Sequence, residues 1–331
     1  MNREENISFC TIITADYAPY ALVLHDSLCR FNKTFHFSVF LSKGGLSEAF
    51  EKEFLRRKYV QLYDFKDLQN FSYAKDLKDK YCEERHDAFR WGMKPVFINF
   101  LLESFEKVIY LDCDIYFFSD FHFLYEELNH VALLLTPHWR NSNPLVEYDN
   151  FKLNFLEGLY NAGFIGASRG AELALNWWAK MILFKCEVNT AEGFYDDQRY
   201  LDLLPVLFEN TGILRHKGCN VANWNKILCN RTLNDNGEVT INNHFPIVFV
   251  HFTNSLLTGV FYKNDKLLSF HLEQYRDNLL KYSDVDIIEE FSKKVRFKKL
   301  WSEEDFTPER QTITIAKRIR SLVKKIYKKI S

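Results

Sequence analysis

Apolar residues fall in short blocks separated by amphipathic stretches, and the pattern predicts strands alternating with helices over the first part of the chain. ISFCTIIT (7–14) reads as a buried strand that stops at Ala15-Asp16-Tyr17, and residues 20–31 continue with helical spacing. HFSVFL (36–41) alternates as a second strand. A helix is expected from Ser47, a natural N-cap, to about residue 58, and residues 60–65 form a third short strand. Residues 88–105 have helical spacing, with Pro95 expected in the early turns. Further strands are expected at 131–136, 160–168 and 247–252, with helices at 172–185 and 196–207 and a polar loop at 137–152. No internal repeat or low-complexity linker interrupts this order. The alternation argues for an α/β fold with a mainly parallel sheet and helices on both faces.

The segment EKVIYLDCDIYFF (106–118) carries the most chemistry. An apolar run delivers Asp112 and Asp114 on either side of Cys113, and a second apolar run follows at once. Residues i and i+2 of a strand point to one side, so the two carboxylates are expected to converge at a strand's carboxyl end. Two hard oxygen donors so placed suit Mg²⁺ or Mn²⁺ shared with a diphosphate. A strand ending in a polar turn would leave the same residues.

Other candidates stand apart in sequence. Arg90 and Lys94, four residues apart on one helix face, suit a diphosphate or form an exposed basic face. Thr14-Ala15-Asp16-Tyr17 offers a ring face and a carboxylate to a nucleobase, although Asp16 also serves as an N-cap with Pro19 in the first turn. Asn161-Ala162-Gly163 suits either a sugar hydroxyl or a structural turn. Tyr195-Asp196-Asp197-Gln198 gathers polar groups at a helix entrance. His251 ends an apolar strand, where a neutral imidazole completes a metal site or sits in a core. Neither GxGxxG nor GxxxxGK[ST] occurs.

Composition narrows the classes. The 331 residues are 47% hydrophobic and 26% charged with a net charge of −1, a globular profile without a nucleic-acid signature. Seven cysteines with no CxxC pair fit reduced thiols in the cytoplasm. The polar N-terminus, MNREENISF, shows no signal peptide, and no stretch reaches the ~18 apolar residues of a membrane span. From Thr307 onward, eight Lys or Arg face one acid, Glu309, and Ile315, Ile319, Leu322, Val323, Ile326 and Ile330 make one apolar stripe. That is the pattern of a basic amphipathic helix on an anionic membrane surface, at its cytoplasmic face, or of a helix packed on the domain.

Taken in order over residues 7–262, these segments resemble the GT-A glycosyltransferases, most closely the family 8 group of glycogenins and bacterial lipopolysaccharide galactosyl- and glucosyltransferases. The resemblance implies a Rossmann-like GT-A domain at 1–265 with a central mixed sheet, a helical extension at 266–306, and the tail at 307–331. It implies Mn²⁺ or Mg²⁺ held by Asp112, Asp114 and His251 on the diphosphate of a nucleotide sugar, with UDP expected. Asp16 and Tyr17 would face the base, with Thr14 and Ala15 beside them among the residues that bind the nucleotide sugar. Arg90, Lys94 and Cys113 would lie against the donor, and Asn161 with the catalytic pair Asp197 and Gln198 would line the transferred sugar. The acceptor would be a glycan or a lipid-linked glycan, and transfer would retain anomeric configuration. One departure is plain: the family's HxxGxxKPW appears only as His251-Phe252-Thr253-Asn254, with Gly259 and Lys263 displaced. Competing readings are a sugar nucleotidyltransferase, which TADYAPY does not favour for want of a Gly-rich basic loop, and a membrane-tethered glycan-binding protein.

Overall fold

The computed structural model describes residues 6–261 and 264–290. The chain up to Tyr282 forms one compact unit, and Ser283 begins a second. In the second unit, Asp286 Oδ1 accepts the amide of Ile288 (2.9 Å). The proposed tail at 307–331 lies outside the described residues.

The first half of the chain runs β1 (Ile7–Thr14), α1 (Ala18–Cys29), β2 (His36–Lys43), α2 (Glu48–Leu55) and β3 (Val60–Tyr63). It continues with α3 (Phe65–Leu68), α4 (Ala74–Tyr81), α5 (His86–Leu101), β4 (Lys107–Leu111), β5 (Ile115–Phe117) and α6 (Phe123–Glu127). Then come β6 (Leu133–Pro137), α7 (Tyr148–Leu156), β7 (Tyr160–Ser168), α8 (Glu172–Phe184), β8 (Val188–Asn189) and β9 (Phe194–Tyr195). The last part holds α9 (Leu204–Leu207), β10 (Thr211–Ile213), β11 (Arg231–Leu233), β12 (Val239–Ile241), β13 (Phe245–Pro246), β14 (Phe249–His251), α10 (Asn254–Phe261) and α11 (Ser269–Leu279).

Seven strands form the central sheet in the order β10-β6-β7-β4-β1-β2-β3. All neighbours pair in parallel except β7, which runs antiparallel to both β4 and β6, so the sheet is mixed and mainly parallel. Helices cover both faces. On one, Leu77, Phe89, Met93 and Phe97 of α4 and α5 pack with Trp178 and Ile182 of α8. On the other, Leu22 and Leu28 of α1 meet Phe9, Phe117, Phe121 and Phe249, with Phe9 and Phe121 edge to face at 5.3 Å. β5 leaves the main sheet to pair antiparallel with β14.

Several expectations shift. α5 begins at His86, which puts Pro95 in its middle, where it gives no N–H to the carbonyl of Trp91. Asp16 is not the N-cap of α1: residues Ala15–Tyr17 form a 3₁₀ turn, and Asp16 accepts the Thr14 hydroxyl instead. Ser47 caps α2 by accepting the Phe50 amide (3.3 Å). The expected polar loop contains α7, and the helix expected at 196–207 is a 3₁₀ stretch (Arg199–Leu203) followed by the short α9.

Candidate active site

β1 and β4 are parallel neighbours, so their carboxyl ends open on the same edge of the sheet. β4 ends at Leu111, and Asp112–Asp114 form a tight turn in which the Ile115 amide donates to Asp112 O (3.1 Å). The two carboxylates therefore converge through a turn rather than through strand alternation. The β5–β14 register sets Ile115 opposite His251, which delivers the imidazole from a distant part of the chain. His251 Nε2 lies 3.0 Å from Asp114 Oδ1 and 3.9 Å from Asp112 Oδ2. One ligand atom from each of the three residues falls within 4.8 Å of the others.

The cluster has a closed back and an open front. His251 and Lys94 are 4% exposed, whereas Asp112 and Asp114 keep 32% and 31% of their side-chain surface. Lys94 Nζ reaches Asp112 Oδ1 (3.4 Å), Asp197 Oδ2 (3.2 Å) and the carbonyl of Ala162 (3.1 Å). Burial pushes the Asp112 carboxyl up, but Lys94, His251 and a 2.7 Å hydrogen bond from Tyr110 outweigh it and hold it below the usual range. Burial dominates at Asp197 and raises it, with Lys94 working against the shift. For His251, burial favours the neutral ring, and the neighbouring Asp114 outweighs that and raises it.

Behind the cluster stands Gly163, whose carbonyl accepts the Asp112 amide (2.8 Å). A Cβ there would lie 2.5 Å from His251 Cε1, 2.8 Å from Asn161 Oδ1 and 2.9 Å from Asp112 Oδ2. No side chain fits, and glycine is what lets the three groups crowd together.

In front lies a cavity of about 150 Å³, walled by Ile12, Tyr17, Arg90, Trp91, Lys94, Tyr110 and residues 112–114. The Arg90 guanidinium sits 5.9 Å from the Tyr17 ring and 3.6 Å from the exposed Asp87 carboxylate. Cys113 lines this cavity as a buried thiol whose pKa burial pushes well up. Thr14, at the end of β1, and Ala15 and Asp16, in the adjoining turn, do not wall the cavity.

At the other end, Gln198 and Asn161 share a buried network. Gln198 Oε1 accepts Asn161 Nδ2 (3.3 Å) and the Ala162 amide (3.2 Å), while its Nε2 donates to Glu157 O (3.0 Å). Asn161 Oδ1 accepts the Gly163 amide (3.1 Å). Asp197 is fixed from behind by Trp178 Nε1 donating to its carbonyl (2.8 Å). Asp196, beside it, has a positive φ of 44°, and burial with the neighbouring Asp197 charge raises its carboxyl to about 6.

Further residues complete the site. Tyr110, which was not singled out from sequence, and Gly163, which was, touch the cluster directly. His138 Nε2 lies 3.4 Å from Asn161 Nδ2, and the Trp224 ring stands edge-on to both His138 (5.3 Å) and His251 (5.6 Å). Asn220 sits 3.3 Å from His251 Nδ1. Trp224 and Asn220 both lie in the polar-aromatic run GCNVANWN (218–225). Lys263 lies outside the described residues.

The model of glycosyl transferase family 8 matches residues 6–166. YfnF of Bacillus subtilis (strain 168), described as uncharacterized, is 26% identical over 263 residues, covering 76% of this chain and 83% of its own length. YfnD of the same organism, also uncharacterized, is 29% identical over 202 residues, or 59% of this chain and 60% of its own. Among solved structures, galactosyltransferase LgtC in complex with donor and acceptor sugar analogs superposes with a TM-score of 0.50 at 15% identity, covering 84% of this chain and 97% of LgtC. Fold and site together define a GT-A glycosyltransferase. The likeness to glycosyltransferase family 8 is carried by residues 6–166, just under half of the chain.

Proposed function

We propose that the protein transfers a hexose from a UDP-linked donor to a glycan or lipid-linked acceptor, with retention, in the synthesis of a cell-surface polysaccharide or lipopolysaccharide. The observation that carries this reading is the Asp112–Asp114–His251 cluster at the floor of a cavity that also presents Arg90 and Tyr17. Two carboxylate oxygens and one imidazole nitrogen, open on one side and closed behind by Gly163, form a donor set that would hold Mn²⁺ or Mg²⁺. When bound, such an ion neutralises charge developing on the departing nucleoside diphosphate.

The chain's own residues supply the rest. Arg90, paired only loosely with the exposed Asp87, is available to a diphosphate oxygen, and the half-exposed Tyr17 ring offers a stacking face for the base. Lys94 is committed to Asp112 and Asp197 and holds both carboxylates in place, favouring the ionised form of each. Asn161 and Gln198, locked into one network, line the position of the transferred sugar beside Asp197. Asp197 is held against Lys94, which makes it a poor nucleophile, and retention is then best served by attack on the same face that the diphosphate leaves. Among the described residues no helix is long and apolar enough to cross a membrane. The basic stripe at 307–331 supports peripheral attachment to the cytoplasmic face, where a lipid-linked acceptor would be met.

Incubating the protein with UDP-, GDP- and CMP-sugars tests this without a known acceptor. Slow release of UDP from a UDP-hexose, abolished by chelator and restored by Mn²⁺, is expected. Release that ignores chelation, or that occurs only from another nucleotide, would overturn the corresponding part of the reading.

A further inference from the structure

We infer that Asn220 is a positioning residue that orients His251 for metal binding, through a lock built from the loop at 218–225 and Arg231 of β11. The inference rests on the proposed metal site. An imidazole that binds metal through Nε2 must carry its proton on Nδ1 and needs an acceptor there. Asn220 Oδ1 lies 3.3 Å from His251 Nδ1, and Asn220 Nδ2 donates to Thr136 Oγ1 (3.3 Å), which fixes the amide with its oxygen toward the ring.

The placement of Asn220 is over-determined. The residue is fully buried with φ of 55°, a left-handed conformation that asparagine tolerates better than most residues. Its carbonyl accepts Asn225 Nδ2 (2.8 Å), and Asn225 Oδ1 in turn accepts the Ala222 amide (3.1 Å) and Arg231 Nη1 (3.2 Å). Arg231, from β11, also donates to Ala222 O (2.6 Å) and pairs with buried Asp265 at 3.1 Å. On the other side, the His251 amide donates to Val221 O (3.0 Å) and the Val221 amide to Phe249 O (3.1 Å), which stitches the loop to β14. Gly218 permits this approach, since a Cβ there would lie 1.8 Å from Pro246 O. A buried arginine and Asn225 thus fix the loop from which Asn220 reaches one imidazole nitrogen.

The test is Mn²⁺ binding to the purified protein, read from the free-Mn²⁺ paramagnetic resonance signal, with melting temperature as the control for folding. N220G removes the amide without a left-handed penalty and is expected to weaken Mn²⁺ binding about 10- to 100-fold while the metal-free melting temperature stays close to wild type. N220D, whose carboxylate also accepts from Nδ1–H, is expected to stay within a few-fold of wild type. Wild-type affinity in N220G, or equal losses in N220G and N220D, would overturn the inference. D114A separates it from the underlying reading: D114A binding Mn²⁺ as wild type does would sink the metal site itself, whereas weakened D114A beside intact N220G sinks only the role of Asn220.

Discussion

Gly163 makes the strictest demand of any residue in the site, because a single methyl would collide with His251, Asn161 and Asp112 together. Gly163→Ala is expected to lower turnover by about 100-fold or more through displacement of these groups, with the far-ultraviolet spectrum unchanged. Activity within a few-fold of wild type would show that the cluster does not need this crowding. Lys94 makes a different demand, since it bridges Asp112 and Asp197. Lys94→Ala should destabilise the protein by about 3 kcal/mol in denaturant unfolding by stranding the buried Asp197 carboxylate and the part-buried Asp112 beside it, and Asp197→Asn should recover part of that loss. Asp112, Asp114 and His251 were legible in the sequence because each ends an apolar block. Gly163 was readable as a close-approach position, but its partner was not, since nothing local announces that His251 will lie behind it.

At the scale of elements, β1, β2 and β7 were legible because they are long and buried on both faces. α7 was missed although Tyr148, Phe151 and Phe155 recur at helical spacing, because the helix follows a run rich in Asn and Pro and none of its residues is buried. The strands β11–β13 span two or three residues, too short for a period of two to register. α11 yields a prediction of its own. It docks through Tyr275, stacked on Phe252 at 4.2 Å, and His271, edge to face with Phe118 at 4.6 Å. Burial lowers the His271 pKa to about 4, below its unfolded value near 6.5. The neutral ring is the folded form, so its contribution is full above about pH 6.5 and is lost as pH falls toward 4, at no more than about 1.4 kcal/mol per pH unit. Buried His138, also lowered by burial, adds to the same acid limb. Replacing His271 with Phe should flatten the fall in stability between pH 6.5 and 4, measured by denaturant unfolding at each pH. An unchanged slope would show that His271 does not set it.

For the whole molecule, the alternation of strands and helices conveyed the layered α/β architecture, but not the departure of β5 from the main sheet that brings His251 to the aspartates. Charge is unevenly spread at this scale: a near-neutral chain concentrates eight cations after residue 306. At about 1 kcal/mol for each basic residue near an anionic bilayer, full-length protein should co-sediment with phosphatidylserine vesicles at low salt. Truncation after residue 306 should abolish most of that binding and leave donor hydrolysis intact, whereas undiminished binding would assign attachment to another surface. The central claim is that Asp112, Asp114 and His251 together hold a divalent ion on the donor diphosphate. Anomalous diffraction from crystals grown with Mn²⁺ and UDP tests it most directly. A single strong peak within about 2.5 Å of the three side chains and of diphosphate oxygens is expected; UDP seated in the cavity with no manganese peak at the cluster would contradict it.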